Sequence, residues 1–270
     1  MVSNDQRRRQ LAREKFLRQQ QRRESARRRA RTRNTVIASA LAVVVVAGAG
    51  AFAAGAFDGK DKKDTAASKP SASPSKAADP CEKPAAGKVK PLSWKKEPAL
   101  TIDKSAGYTM NLATTCGDIG IGLKAKEAPH TVNSFDFLAG KGFFDHTKCH
   151  RLTTNGIYVL QCGDPKGTGA GGPGYTIPDE NLKDKSLKAN VYPAGTIAMA
   201  NTGQKHTGGS QFFLVYQDSQ LPPSYTPFGT ISDSGMKVLK KIAAAGESTG
   251  QGDGAPNATV VIDKATVKKS

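Results

Sequence analysis

The block His150-Arg151-Leu152 is followed by Gln161-Cys162-Gly163-Asp164 and later by Gly209-Ser210-Gln211-Phe212-Phe213. Together they supply a guanidinium, carboxamides and aromatic rings. Gathered by a small antiparallel barrel, these groups suit a pocket that grips a proline ring and acts on its amide bond. That chemistry needs fixed donors and an apolar wall, with no nucleophile and no acid-base pair. The plain alternative for Arg151 is a surface arginine paired with an acid. Against it stand Tyr158, Val159 and Gln161 on the following strand, and Gln211 and Phe213 on a later one. A lone surface arginine has no use for amides and rings drawn from two distant strands.

Other chemistries fit less well. Gly167-Thr168-Gly169-Ala170-Gly171-Gly172 satisfies G-x-G-x-x-G. A dinucleotide site needs a helix to begin on that motif, and Pro173, Gly174 and Pro178 prevent one. A mobile surface loop is expected there. Ser210 lies in GGSQF rather than in the G-x-S-x-G of a nucleophile elbow. His146, Cys149, His150 and Cys162 lack the paired spacing of a structural zinc site, so no metal is expected. For an exported domain the four cysteines permit disulfides. Cys116, in a turn, and Cys149, at a strand start, form the first candidate bridge, with Cys162 a buried thiol.

The elements that would position these groups are short. Tyr108–Leu112 and Ile119–Leu123 alternate around Thr115-Cys116-Gly117-Asp118, which reads as a hairpin. Pro129 opens a helix with Val132, Phe135 and Leu138 on one stripe and Gly140 at its end. A second helix runs from about Gly235 to Ala245, with Met236, Leu239 and Ile242 inward. Between them lie strands at Cys149–Leu152, Tyr158–Cys162, Gly195–Ala200 and Gln211–Tyr216, and a last one near Thr259–Ile262. Many short strands with two helices indicate a mainly β, closed or nearly closed antiparallel barrel.

Upstream, the composition changes three times. The chain carries a formal charge of +17, and residues 1–34 hold thirteen Arg or Lys against Asp5, Glu14 and Glu24. A block so concentrated is a tail with its own role. No aromatic residues are interleaved there to stack on bases, which argues against nucleic acid; anionic lipid headgroups suit it better. No charge appears from Asn34 to Phe57, and residues 35–57 are long enough to cross a bilayer core of about 30 Å as a helix. The basic side should stay cytoplasmic and the remainder be exported. A signal peptide is the rival, but its apolar region spans only about 7–15 residues. Residues 58–91, rich in Lys, Ala, Ser and Pro, read as a flexible tether. Residues 92–270 then form the folded domain.

Taken in order along residues 100–268, HRL, LQCGDP, GTGAGGPGY, PDENL, GTIAMAN, GGSQFFLVY and PFG resemble the cyclophilin-type peptidyl-prolyl cis-trans isomerases. The resemblance implies a closed eight-stranded antiparallel barrel capped by two α-helices, here preceded by a transmembrane helix, and no cofactor. It implies Arg151 as the catalytic arginine and Gln161 beside the substrate carbonyl. The Ala200-Asn201 backbone would pair with the substrate, Gln211 would be the second glutamine, and Phe213 the floor of the proline pocket. Departures from the family pattern are local. Two extra residues lie within Thr153-Thr154-Asn155-Gly156, and the usual Phe-Met pair is Tyr158-Val159. The rim tryptophan of drug-sensitive members stands as Leu221 and the rim histidine as Tyr225. Tyr158, Val159, Phe213 and Leu221 are expected to hold the ring. The implied function is catalysis of rotation about X-Pro bonds in extracytoplasmic polypeptides by a single-pass, membrane-held enzyme. The alternative is a proline-binding or chaperone module with little turnover.

Overall fold

The computed structural model describes residues 79–270. The basic tail, the apolar span 35–57 and the tether up to residue 78 lie outside the described residues. Among the described residues no helix is long and apolar enough to cross a membrane.

The hairpin forms as expected, with β1 at Tyr108–Thr114 and β2 at Gly117–Leu123. Helix α1 spans Pro129–Gly140, and Val132, Phe135 and Leu138 are fully buried. Ala128, ahead of Pro129, offers no capping side chain. Glu180, from a distant loop, does so instead: its carboxylate accepts from His130 N at 3.0 Å, Thr131 N at 2.9 Å and Thr131 Oγ1 at 2.8 Å. An anion at this end also complements the helix dipole. Helix α2, Asp233–Ala244, begins on Ser232, whose Oγ accepts from Gly235 N, and buries Leu239 and Ile242.

The remaining strands are β3 (Thr147–Lys148), β4 (Arg151–Thr153), β5 (Val159–Cys162), β6 (Val191–Tyr192), β7 (Thr196–Met199), β8 (Phe212–Val215), β9 (Ser219–Gln220), β10 (Pro227–Ile231), β11 (Asp253–Gly254) and β12 (Val261–Lys269). Ten of the strands form one curled antiparallel sheet in the order β11-β4-β5-β8-β7-β10-β2-β1-β12-β3, and β6 pairs with β9 separately. The expected closed barrel of eight strands is therefore corrected. Its terminal strands, β11 and β3, are not paired with each other. The count differs because the alternating runs did not reveal the two-residue strands or β10. In β10, Pro227 and Gly229 mask the pattern, yet Gly229 is required: a Cβ there would meet the Gly122 carbonyl at 2.7 Å and Ile197 at 2.9 Å. Strand β12 runs seven residues past Ile262 and pairs with β1 as far as Lys269.

Phe135 of α1 anchors the core. Its ring lies 4.6 Å from Phe228, 5.3 Å from Phe144 and 5.5 Å from Phe212. Burial of each such ring contributes about 2–3 kcal/mol.

Two further expectations are corrected. The boundary at residue 92 moves upstream, because residues 79–91, assigned to the tether, are held against the folded part. Cys81 is bonded to Cys116, Glu82 N donates to the Thr115 carbonyl, and Ala85 N donates to Asp263. The second disulfide joins Cys149 to Cys162. Cys116–Cys149 does not form, and Cys162 is not a free thiol. The reason is tertiary: Cys149 and Cys162 flank the β4–β5 pairing with Cα atoms 4.1 Å apart.

Candidate active site

Directly opposite residues on neighbouring strands share a face, and successive residues alternate between faces. Arg151 faces Gln161, Gln161 faces Phe213, and Phe213 faces Ala198, so one row crosses β4, β5, β8 and β7. The adjacent row, Leu152, Leu160, Leu214 and Ile197, points the other way into the main core and is almost fully buried. The site thus occupies the face opposite the main core.

Arg151 is fixed from two sides. Nε and Nη2 donate to Asp253 Oδ1 and Oδ2 at 2.7 and 2.8 Å, and Nη1 donates to Gln161 Oε1 at 3.2 Å. Gln161 Nε2 donates to Gln211 Oε1 at 2.8 Å, and Gln211 Nε2 to the Gly171 carbonyl at 2.9 Å. A guanidinium carries five N–H groups, so donors on Nη1 and Nη2 remain for a ligand. The Asp253 hydrogen bond holds the guanidinium pKa above its usual value, and Arg151 holds the Asp253 carboxyl below the carboxylate range. The side chain of Arg151 is 34% exposed, enough to meet a substrate.

The apolar wall is a second cluster of Val159, Tyr192, Ala198, Ala200, Phe213, Val215 and Leu221, with Ile157, Leu187 and Tyr225 against it. Tyr225 lies edge-on to Phe213 at 5.3 Å. Its loop is held by Tyr192, whose hydroxyl donates to the Tyr225 carbonyl at 2.7 Å. Burial raises the Tyr192 pKa to about 12 and keeps that donor neutral. Asn201 Nδ2 donates to the Ser224 carbonyl at 2.8 Å, and Ala200 N to the Gln211 carbonyl at 2.9 Å. Among the described residues, no other backbone group engages the Asn201 N–H or carbonyl.

Of the expected residues, Arg151, Val159, Gln161, Ala200, Asn201, Gln211, Phe213, Leu221 and Tyr225 come together. Tyr158 does not join them. It packs on the main core, 6.0 Å from the Tyr216 ring, with its N–H on Ser219 Oγ. The inserted turn, closed by the Asn155–Ile157 bridge, brings Ile157 to the apolar cluster instead. Leu221 is 7% exposed, so it belongs to the wall and not to an exposed rim. The exposed residues around it are Gln220, Pro222 and Pro223.

Sequence reading missed three supports. Asp253 lies 102 residues from Arg151 in a glycine-rich segment, and no local pattern links the two. Tyr192 gave no signal. Asp164 was quoted only as part of a motif, yet its buried carboxylate organises the glycine-rich loop. It accepts from the N–H groups of Lys166, Thr168, Gly169 and Gly171 and from Thr168 Oγ1. Burial alone would raise this carboxyl's pKa; the backbone donors outweigh it and hold the value below the usual range. Gly171 is needed for that approach, since a Cβ there would collide with Asp164 Oδ1. His150, beside Arg151, has both ring nitrogens buried without a partner among the described residues. Burial lowers its pKa, with Asp164 opposing and Arg151 reinforcing the shift.

Residues 109–267 match the sequence model of the cyclophilin type peptidyl-prolyl cis-trans isomerase/CLD family. A probable peptidyl-prolyl cis-trans isomerase B of Mycobacterium leprae is 51% identical over 196 residues, covering 70% of this chain and 62% of that protein. The chain thus spans less than two thirds of that relative's length. Peptidyl-prolyl cis-trans isomerase B of Bacillus subtilis is 40% identical over 122 residues, covering 45% of this chain and 80% of that protein. A crystal structure of a Cryptosporidium parvum cyclophilin type isomerase, in the presence of the dipeptide Ala-Pro, is similar with TM-score 0.50 and 27% identity. It covers 60% of this chain and 99% of that one.

Proposed function

The chain belongs to the cyclophilin type peptidyl-prolyl cis-trans isomerase family, and from that premise we propose that it catalyses rotation about X-Pro amide bonds. Resonance in such a bond opposes twisting with a barrier of about 18–20 kcal/mol. In the twisted state the prolyl nitrogen regains a lone pair. The free N–H groups of Arg151 donate to that nitrogen, while Phe213, Val159, Leu221 and Tyr225 hold the ring. Gln161 and the Asn201 backbone fix the flanking chain, so the preceding carbonyl swings against a held ring. The observation that carries this reading is the single row of Arg151, Gln161 and Phe213, with Arg151 braced by Asp253. The Ala-Pro dipeptide used with the Cryptosporidium relative favours a proline-containing ligand.

The test is cis-trans exchange in a proline peptide, measured by NMR with the full chain in mild detergent. Wild type should accelerate exchange, and Arg151→Ala should slow it at least about tenfold, or about 1.4 kcal/mol. Binding without acceleration would favour a proline-binding module.

We also propose that the domain lies outside the cytoplasm, held by a span at 35–57, with exported polypeptides as clients. Two disulfides favour an oxidising compartment, and the uncharged run after a basic tail favours an anchor. The mature protein should fractionate with membranes and retain residues 1–57. An N-terminal sequence beginning between Ala51 and Lys60 would refute the anchor.

A further inference from the structure

The segment from Cys81 to Leu100 has no part in the mechanism above, yet it is docked along its length. Cys81 is bonded to Cys116, and Trp94 packs edge-on against Phe137 at 5.0 Å. Trp94 N donates to the Pro173 carbonyl at 2.8 Å, and Asn133 Nδ2 donates to the Ala99 carbonyl at 3.0 Å. This strap borders a cavity of about 1010 Å³ whose other lining includes Gln161, Asn201 and Gln211. Lys95 and Lys96 of the strap and Lys166 of the glycine-rich loop are among the residues that line it. All three are exposed, and among the described residues none is ion-paired. The one carboxylate lining the cavity, Glu97, is taken up by His130 Nδ1 at 2.6 Å. Asp164, near the same loop, is buried under its five hydrogen bonds. The cavity therefore adjoins the row of reacting groups, and its lining holds three lysines against one carboxylate, a net positive charge.

We propose that this cavity is a specificity subsite, selecting polypeptides with an acidic side chain two to four residues from the proline. The proposal rests on the isomerase reading and names its substrate class. Lys95 and Lys96 come from the strap rather than from the sheet, so they set preference without touching the rotating bond. One exposed ion pair supplies about a two- to fivefold preference. It should fade at about 0.5 M salt, where screening acts over about 4 Å.

The experiment compares matched proline peptides carrying Glu or Gln at each position from two to four on either side of the proline. The full chain is used in uncharged detergent. The readouts are the Glu/Gln ratio of kcat/KM by NMR exchange and the Kd ratio from fluorescence of Trp94, the single tryptophan. At one position at least, wild type should favour Glu about two- to fivefold at low salt and lose the preference at high salt. The double variant Lys95→Glu, Lys96→Glu should bring the ratio to one or below. Ratios of one at every position in wild type overturn the proposal, as does a preference that the double variant leaves intact. Should no peptide be turned over, the isomerase reading fails, and the Kd ratios still decide the subsite.

Discussion

Replacing Asp253 by asparagine keeps the side chain's shape and removes its charge. In the native protein, Asp253 holds two edges of the Arg151 guanidinium at 2.7 and 2.8 Å. Hydrogen bonds to charged groups contribute about 1.5–3 kcal/mol when shielded. The Asp253 side chain is 56% exposed, so solvent screening reduces the pair to about 1 kcal/mol or less. Asparagine accepts one of the two bonds and leaves Arg151 held mainly by Gln161. At about 1.4 kcal/mol per factor of ten, Asp253→Asn should lower kcat/KM about two- to fivefold, less than Arg151→Ala. The pH dependence gives a second reading of the same contact. Arg151 depresses the Asp253 pKa against the effect of burial, so the pair is intact above the ordinary carboxylate range. It is lost as pH falls through the depressed value. The gap between wild type and variant should persist from about pH 8 down to about pH 4 and close only as pH falls through the depressed carboxyl value, which lies below the ordinary 3.8. NMR exchange on one proline peptide across that range measures both effects. A variant as fast as wild type or faster would refute the reasoning, for Asp253 would then compete with substrate for the guanidinium.

Other perturbations test the supports of the site. Glu180→Ala removes the cap of α1 and should cost about 1–2 kcal/mol in urea unfolding, because Ala128 offers no substitute; an unchanged midpoint would show that water caps the helix equally well. Breaking Cys149–Cys162 by a paired Cys→Ser change should lower stability by about 3 kcal/mol for its separation of 13 residues, and should also reduce turnover by loosening the β4–β5 register. Equal turnover with lower stability would confine that bridge to folding. Asp164→Asn should expose the glycine-rich loop to protease, since asparagine accepts fewer of the five hydrogen bonds; undiminished resistance would show that Gln211, through its bond to the Gly171 carbonyl, holds the loop without it.

Local patterns were enough to read the β1–β2 hairpin and both helices, because alternation, Pro129 at a helix start and the Val132-Phe135-Leu138 stripe act over a few residues. Specific blocks in order were enough to identify the family and to name Arg151, Gln161 and Phe213. The sequence could not show that these three lie opposite one another in a single row, because register across β4, β5 and β8 depends on pairing between distant segments. Nor could it show that Asp253 closes on Arg151, or that Glu180 caps α1, since each contact joins a loop to a residue far along the chain. The turn at 153–156 is visible as an insertion, yet only the folded backbone shows Ile157 at the cluster and Tyr158 in the main core. Cysteine count permitted disulfides, but pairing followed proximity: Cys149 and Cys162 meet because adjacent strands bring them together. The segment 79–91 looked like tether because its composition is polar. It is held instead by a disulfide and backbone hydrogen bonds, contacts that do not depend on apolar side chains and leave no hydrophobic pattern to read.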